Sequence, residues 1–205
     1  MHDKPIPDII IGRLPIYLLA LQHMVQAGRQ VTSSQELGER LGISPAQIRK
    51  DLSQFGEFGK QGTGYNISYL RDAIRGILKV DQVWDIAVVG IGDIGRAIAD
   101  YQGFADRGFR VALLFDSDPS KIGTRIGHFT VQDSAQMEKV IHDAGIKVAM
   151  VAVPVPQAQA VAEQLVKAGV KAILNYAPIT LNLPHDVHVE DFDPLIHLQH
   201  MTYYL

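Results

Sequence analysis

Cysteine is missing from all 205 residues, and that absence removes disulfides, thiolate nucleophiles, thiolate metal ligands and thiol redox switching together. A redox signal can reach such a chain only through a bound cofactor. Long apolar runs are missing too. No stretch of the sequence approaches the ~20 residues of a membrane span, and Met1 to Pro7 is polar and broken by prolines, without a signal peptide's apolar centre. A cytoplasmic protein with no membrane partner is expected. Metal-ligating sets are equally thin: His185/His188 and His197/His200 are each spaced three apart, but neither pair has a third ligand in view, so no metal is expected.

What is present is apolar content sufficient for a genuine core, 47% of residues, and a charge asymmetry. Residues 1–80 hold ten Lys/Arg against seven Asp/Glu, whereas 81–205 hold nine against fifteen. A basic head before an acidic remainder suits anion binding by the head. The cut near residue 80 falls where helical periodicity gives way to a strand-like run.

Within the head, Leu14, Leu18, Leu21 and Val25 recur at helical spacing, with Pro15 in the first turn and Gly28 as the stop. Ser33 and Glu36 have the spacing of a capping box, in which hydroxyl and carboxylate each accept from the other's backbone amide. That second helix ends at Gly42. Ser44, Pro45 and Gln47 then open a third. Two helices joined by Gly42-Ile43-Ser44 match a helix-turn-helix, whose second helix enters the DNA major groove. Ile48, Leu52 and Phe55 share the inward face of that helix, which turns Ala46, Gln47, Lys50 and Ser53 outward beside Ser44, with Arg49 on the flank. Lys50 suits guanine O6 and N7, Gln47 an adenine edge, Ala46 a thymine methyl and Arg49 a phosphate, with Asp51 orienting a neighbouring base. From Phe55 to Asn66 glycines and aromatics alternate around a polar tip, as in a hairpin wing with Lys60 and Gln61 at its end, in reach of a minor groove. Tyr69 to Lys79 closes the domain as a fourth helix, making it a winged helix-turn-helix.

Trp84 to Val89 reads as a buried strand running into Gly90-Ile91-Gly92-Asp93-Ile94-Gly95 and then a helix. Strand, GxGxxG, helix is the dinucleotide fingerprint: Gly90 makes the tight turn, Gly92 admits the pyrophosphate, and Gly95 lets helix pack on strand. A second strand, Phe109 to Phe115, ends in Asp116, twenty-one residues after Gly95, at the spacing of the carboxylate that binds a ribose 2′-hydroxyl. A carboxylate there opposes the 2′-phosphate of NADP and favours NAD+ and NADH, while Lys121 nearby works the other way. Further helices at 134–144 and 157–168 and strands at 148–153 and 172–175 complete a Rossmann-like, doubly wound parallel sheet over 81–190. In such sheets Val153-Pro154 and Asn175-Tyr176-Ala177-Pro178, at strand ends, wall the nicotinamide. They offer no His, Lys or metal set for turnover, so binding without catalysis is expected. A small NAD-dependent oxidoreductase and a CoA- or nucleotide-binding interaction protein remain the alternatives. Asp193-Pro194 starts a last helix whose Leu195, Ile196, Leu198, Met201, Tyr204 and Leu205 need cover, from a second subunit or from their own chain.

Four stretches in order, 47–53 (Gln-Ile-Arg-Lys-Asp-Leu-Ser), 62–65 (Gly-Thr-Gly-Tyr), 89–97 (Val-Gly-Ile-Gly-Asp-Ile-Gly-Arg-Ala) and 173–178 (Ile-Leu-Asn-Tyr-Ala-Pro), make the chain similar to the redox-sensing transcriptional repressor Rex family from end to end. The resemblance implies a homodimer on an inverted-repeat operator in double-stranded DNA, joined through Rossmann domains that exchange a C-terminal helix, here 191–205. It implies that NADH, against NAD+, rotates those domains and releases the operator. By position Lys50 and Arg49 resemble the family's major-groove and backbone contacts, Gly90, Gly92, Gly95 and Asp116 its dinucleotide site, and Tyr101 with Asp193 its switch. Two positions depart: Gln61 stands where the wing commonly has arginine, and Leu19 stands where some members have an arginine that pairs with the carboxylate at Asp193.

Overall fold

The computed structural model describes residues 6–60 and 62–205, in two compact units, one ending at Gln82 and the other beginning at Val83. In the first unit a short α1 (Asp8–Ile11) precedes α2 (Leu14–Gln26), with Pro15 in the first turn of α2. Together they form the apolar stretch Asp8–Gln26, whose length and composition would suffice to cross a membrane, so the chain comes closer to a span than the sequence reading allows. A core explains it: Leu14, Tyr17, Leu18, Leu21 and Met24 are buried against Leu37, Ile48, Leu52, Ile67, Leu70 and Ile74. Each large apolar side chain buried there contributes about 1.5–3 kcal/mol.

A two-residue β1 (Val31–Thr32) leads to α3 (Ser34–Leu41). Its cap is half of the expected box. The Ser33 hydroxyl accepts from Glu36 N at 3.1 Å, but the Glu36 carboxylate accepts from the Thr32 hydroxyl at 2.9 Å and from Arg29 at 3.1 Å instead, because β1 brings those donors within reach. Gly42, at φ 67°, ends α3 in the left-handed conformation that glycine adopts without strain. The turn then packs back so tightly that a Cβ on Gly38 would meet the Ile43 carbonyl oxygen at 2.4 Å. Ser44 caps α4 (Pro45–Leu52) by accepting from Gln47 N. The wing forms as β2 (Gly59–Lys60) antiparallel to β3 (Gly64–Asn66), and β1 adds to β3 as a third strand that the sequence does not announce. Gln61 lies outside the described residues. Helix α5 (Ile67–Ile77) starts two residues before the expected Tyr69 because Asn66 Oδ1 caps it through Tyr69 N.

The second unit is a seven-stranded sheet in the order β10-β9-β8-β4-β5-β7-β6. Its strands are β4 (Trp84–Val89), β5 (Phe109–Asp116), β6 (Arg125–Ile126), β7 (Phe129–Asp133), β8 (Val148–Val151), β9 (Ala172–Asn175) and β10 (His188–Asp191). All pairings are parallel except the β6/β7 hairpin at one edge. The period of two along β4 divides its side chains between two cores. Ala87 and Val89 join Met137, Ile141, Ala158, Ala162 and Leu165 of α7 (Met137–Ala144) and α8 (Val155–Lys167); Ile86 and Val88 join Ile98 and Ala99 of α6 (Asp93–Asp100). Helices thus cover both faces, as a doubly wound sheet requires. The chain leaves β4 toward β5 and β7, then crosses to β8 on the other side, so a topological switch point lies beside β4. Asp193 caps α9 (Pro194–Thr202) by accepting from Leu195 N at 2.9 Å. None of the residues of α9 is buried.

Candidate functional site

At the switch point a cavity of about 650 Å³ opens at the carboxyl ends of β4, β5, β8 and β9. Of the expected cofactor residues, Gly90, Gly92, Asp93, Ile94, Asp116, Lys121, Val153, Pro154, Ala177 and Pro178 line it. Gly90, at φ 93°, leaves β4 against the exit of the neighbouring strand β8; a Cβ there would fall 2.5 Å from the Ala152 carbonyl oxygen. A Cβ on Gly92 would meet no protein atom within 4 Å and would project into open space beside the cavity. Gly92 is also the N-cap of α6, and no side chain caps that helix. Its first-turn amides are therefore available to an anion, on the positive end of the helix dipole. A pyrophosphate fits this turn. Gly95 does not line the cavity; it is the place where the helix start presses on the turn, with a Cβ falling 1.9 Å from the Gly90 carbonyl oxygen.

Asp116 is buried and accepts from Ile91 N at 2.7 Å, Asp118 N at 2.9 Å and Lys121 Nζ at 3.1 Å. Burial alone would raise its pKa, but the amides of Asp118 and Ile91 and the Lys121 ammonium hold it below the ordinary carboxylate value. A carboxylate offers about four acceptor sites, so roughly one remains for a ribose hydroxyl. Lys121 makes that end of the cavity an ion pair rather than a bare negative charge. Ser117, Ser134 and Gln157 also line the cavity. Ser117 adjoins Asp116 in the sequence, whereas Ser134 and Gln157 come from α7's approach and α8, and only the sheet order brings them together.

Asn175 corrects the expectation. It is fully buried, outside the cavity, with its amide nitrogen 3.0 Å from the Ala177 carbonyl, 2.8 Å from the Ile179 carbonyl and 2.9 Å from Asp191 Oδ1, while its oxygen accepts from Ala177 N. It braces the loop that carries Tyr176, Ala177 and Pro178 to the wall. Tyr101 ends α6, is exposed, and stacks edge-on to Phe104 at 5.1 Å; no hydrogen bond joins it to Asp193 within one chain. Among the described residues no group of three His, Cys, Asp or Glu is placed to hold a metal.

In the first unit, α4 presents Ser44, Ala46, Arg49, Lys50 and Ser53 to solvent. Ser44 is occupied in capping, and the Ser53 hydroxyl donates to the Lys50 carbonyl at 2.8 Å. Arg49 donates to the Ser34 hydroxyl at 2.9 Å and faces a second cavity, about 620 Å³, lined by Ser33, Ser34, Tyr65 and the wing glycines 59, 62 and 64. Lys60 lies on β2. Asp51 overturns the idea that it orients a base: it is completely buried, accepting from Arg13 Nε at 2.6 Å, Arg13 Nη2 at 2.7 Å and the Tyr17 hydroxyl at 2.6 Å. Gln47 is half-buried rather than fully outward, because its amide nitrogen donates to the same carboxylate at 2.7 Å. No local signal marks Asp51 as internal, since its main partner lies 38 residues away.

Residues 81–179 match the family described as "CoA binding domain", and residues 5–53 match "Putative DNA-binding protein N-terminus". The chain is 52% identical over 203 residues to the redox-sensing transcriptional repressor Rex of Chloroflexus aurantiacus, covering 99% of this chain and 95% of that protein. It is 45% identical over 204 residues to redox-sensing transcriptional repressor Rex 1 of Thermotoga maritima, covering 99% and 97%. The crystal structure of RSP in complex with β-NAD+ and operator DNA superposes with a TM-score of 0.93 at 35% identity, covering 98% of this chain and 93% of that one. RSP with β-NADH gives a TM-score of 0.90 at 33% identity, covering 98% and 95%. Full-length identity of this degree, across both the head and the sheet, places the chain in the redox-sensing transcriptional repressor Rex family.

Proposed function

We propose that this chain is a cytoplasmic, redox-sensing transcriptional repressor that holds operator DNA through α4 and the wing and releases it when NADH occupies the cavity beside β4. One observation carries the reading: a single chain joins a helix-turn-helix with exposed Arg49 and Lys50 to a glycine-turn cavity with uncapped helix amides and a ribose-end carboxylate. The bound dinucleotide supplies a nicotinamide whose charge differs between its oxidised and reduced forms. Gly90 and Gly92 and the first turn of α6 hold the pyrophosphate, and Asp116 with Lys121 meets the adenosine ribose. Val153, Pro154, Ala177 and Pro178 form the apolar wall at the far end.

The site is regulatory rather than catalytic. The lysine that lines the cavity, Lys121, is tied to Asp116 at the ribose end. The working unit is a homodimer on an inverted repeat, with α9 exchanged between subunits so that Leu195, Ile196, Leu198 and Met201, all more than half exposed in one chain, are covered. Tyr101 and Asp193 form the switch across that exchange. Leu19, half-buried and uncharged, brings no cation to Asp193 from α2.

Linkage supplies the test. If NADH weakens operator binding by some factor, operator must weaken NADH binding by the same factor, typically about 5- to 150-fold. Titrating NADH with and without operator measures both; equal NADH affinities in the two titrations would remove the coupling and this function with it. Lys50→Ala is expected to weaken operator binding roughly tenfold to a hundredfold per half-site in a mobility-shift titration. Its NADH affinity in the absence of DNA stays at the wild-type value.

A further inference from the structure

We propose that Gln47 is a specificity-determining residue whose amide is locked in one orientation by buried Asp51, so that its oxygen reads a base amino group, adenine N6 or cytosine N4. The inference rests on the reading of α4 as the recognition helix.

An unconstrained glutamine at a groove is ambiguous. Rotating its amide by half a turn exchanges donor for acceptor, so the same side chain meets an amino group or a keto oxygen. Here the choice is made inside the protein. Asp51 is completely buried and ionised: two donors from Arg13 and one from Tyr17 converge on it, and Arg13, Tyr17 and Gln47 hold its carboxyl below the ordinary range against the opposing effect of burial. An ionised carboxylate only accepts. The Gln47 group 2.7 Å from Asp51 Oδ1 must therefore be the NH2, and Oε1 is left as the group with no partner among the described residues. Turning the amide over would set Oε1 against a buried negative charge. That would leave one of Asp51's acceptor positions unmet, a cost charged groups make large.

The lock also has a rigid base. Asp51 sits one helical turn beyond Gln47 on α4, and Arg13 and Tyr17 belong to the residues at the start of α2, so the amide is held to the domain core and not to a mobile surface chain. Gln47 is only half-buried, with exposed Ala46 before it and exposed Lys50 three residues on. The surface of α4 thus offers one fixed acceptor next to one cation. Lys50 meets guanine's acceptors, and Gln47 rejects a keto group at its own point in the groove.

The test is a cycle between residue and base. An operator duplex selected by the wild-type chain from random sequence is resynthesised one position at a time with analogues that delete a single groove group. Purine replaces adenine and pyrimidin-2-one replaces cytosine to remove an amino group; 2-aminopurine replaces guanine to remove O6. Each duplex is titrated with wild type and with Gln47→Ala. The expected result is one position per half-site where loss of the amino group weakens wild-type binding roughly two- to tenfold and leaves Gln47→Ala unaffected. Loss of O6 should cost both proteins equally everywhere. A position where deleting O6 matters only when Gln47 is present overturns the proposal, and so does equal loss in both proteins at every amino group. Failure of the wild type to select any operator would instead overturn the DNA-binding reading.

Discussion

Arg13→Ala will destabilise the N-terminal unit by about 3 kcal/mol, the lower end for breaking a buried ion pair, because the Arg13 side chain is 20% exposed while that of Asp51 is at 0%. Removing the guanidinium deletes two hydrogen bonds and leaves a carboxylate in the core with only Tyr17 and Gln47 as donors. The pH dependence carries the signature. In the wild type Asp51 has a lowered pKa, so its contribution is complete above the ordinary value of 3.8 and is lost as pH falls through the depressed folded value. In Arg13→Ala the same carboxyl titrates higher. The variant's deficit is therefore largest at neutral pH and shrinks in acid, where Asp51 takes up a proton and its burial stops being costly. Urea unfolding across pH, with hydrogen exchange at the amides of α2 and α4, measures both effects. An unchanged midpoint at neutral pH would show that the pair contributes nothing net.

Gly95→Ala should weaken NADH binding on the order of a hundredfold, about 2.7 kcal/mol, without touching the ligand. A methyl group 1.9 Å from the Gly90 carbonyl oxygen cannot be accommodated by side-chain rotation, because both partners are backbone. Either α6 slides away from β4 or the glycine turn opens, and both move the amides that would face the pyrophosphate. Gly92→Ala is the contrasting case. Its Cβ meets no protein atom within 4 Å, so the unliganded fold tolerates it and the loss appears only on binding. Calorimetric titration with NADH, set beside thermal unfolding without ligand, separates the two: Gly95→Ala lowers both affinity and melting temperature, Gly92→Ala affinity alone. Wild-type NADH affinity in Gly95→Ala would mean that this contact does not set the turn.

The order of the two units, the helices with their caps, the fingerprint on β4 and the acidic end of β5 could all be read along the chain. Each depends on residues within a few positions of one another: Ser44 with Gln47, Gly42 after Leu41, Gly90 to Gly95 after an apolar run. Apolar periodicity also identified the inward face of α4, since Ile48 and Leu52 must be buried wherever the helix goes. The strands β6, β7 and β10 were not legible: β6 and β10 are short edge strands, and β7 is five residues long and pairs parallel to β5, a partner given by the sheet order and not by neighbouring residues.

Polar side chains are where sequence and tertiary structure part. Asp51 between Lys50 and Leu52, Gln47 on an apparently outward face, Glu36 at a capping-box spacing and Asn175 at a strand end all carry hydrogen-bonding groups whose partners are chosen in space. Local spacing determined that α4 exists, where it starts and which side is apolar. Only the packing of α2 against it decided that one carboxylate would be taken from solvent and matched with an arginine 38 residues earlier. The physical reason is that burial of an apolar side chain is favourable against almost any neighbour, whereas a buried charge persists only where specific donors converge on it.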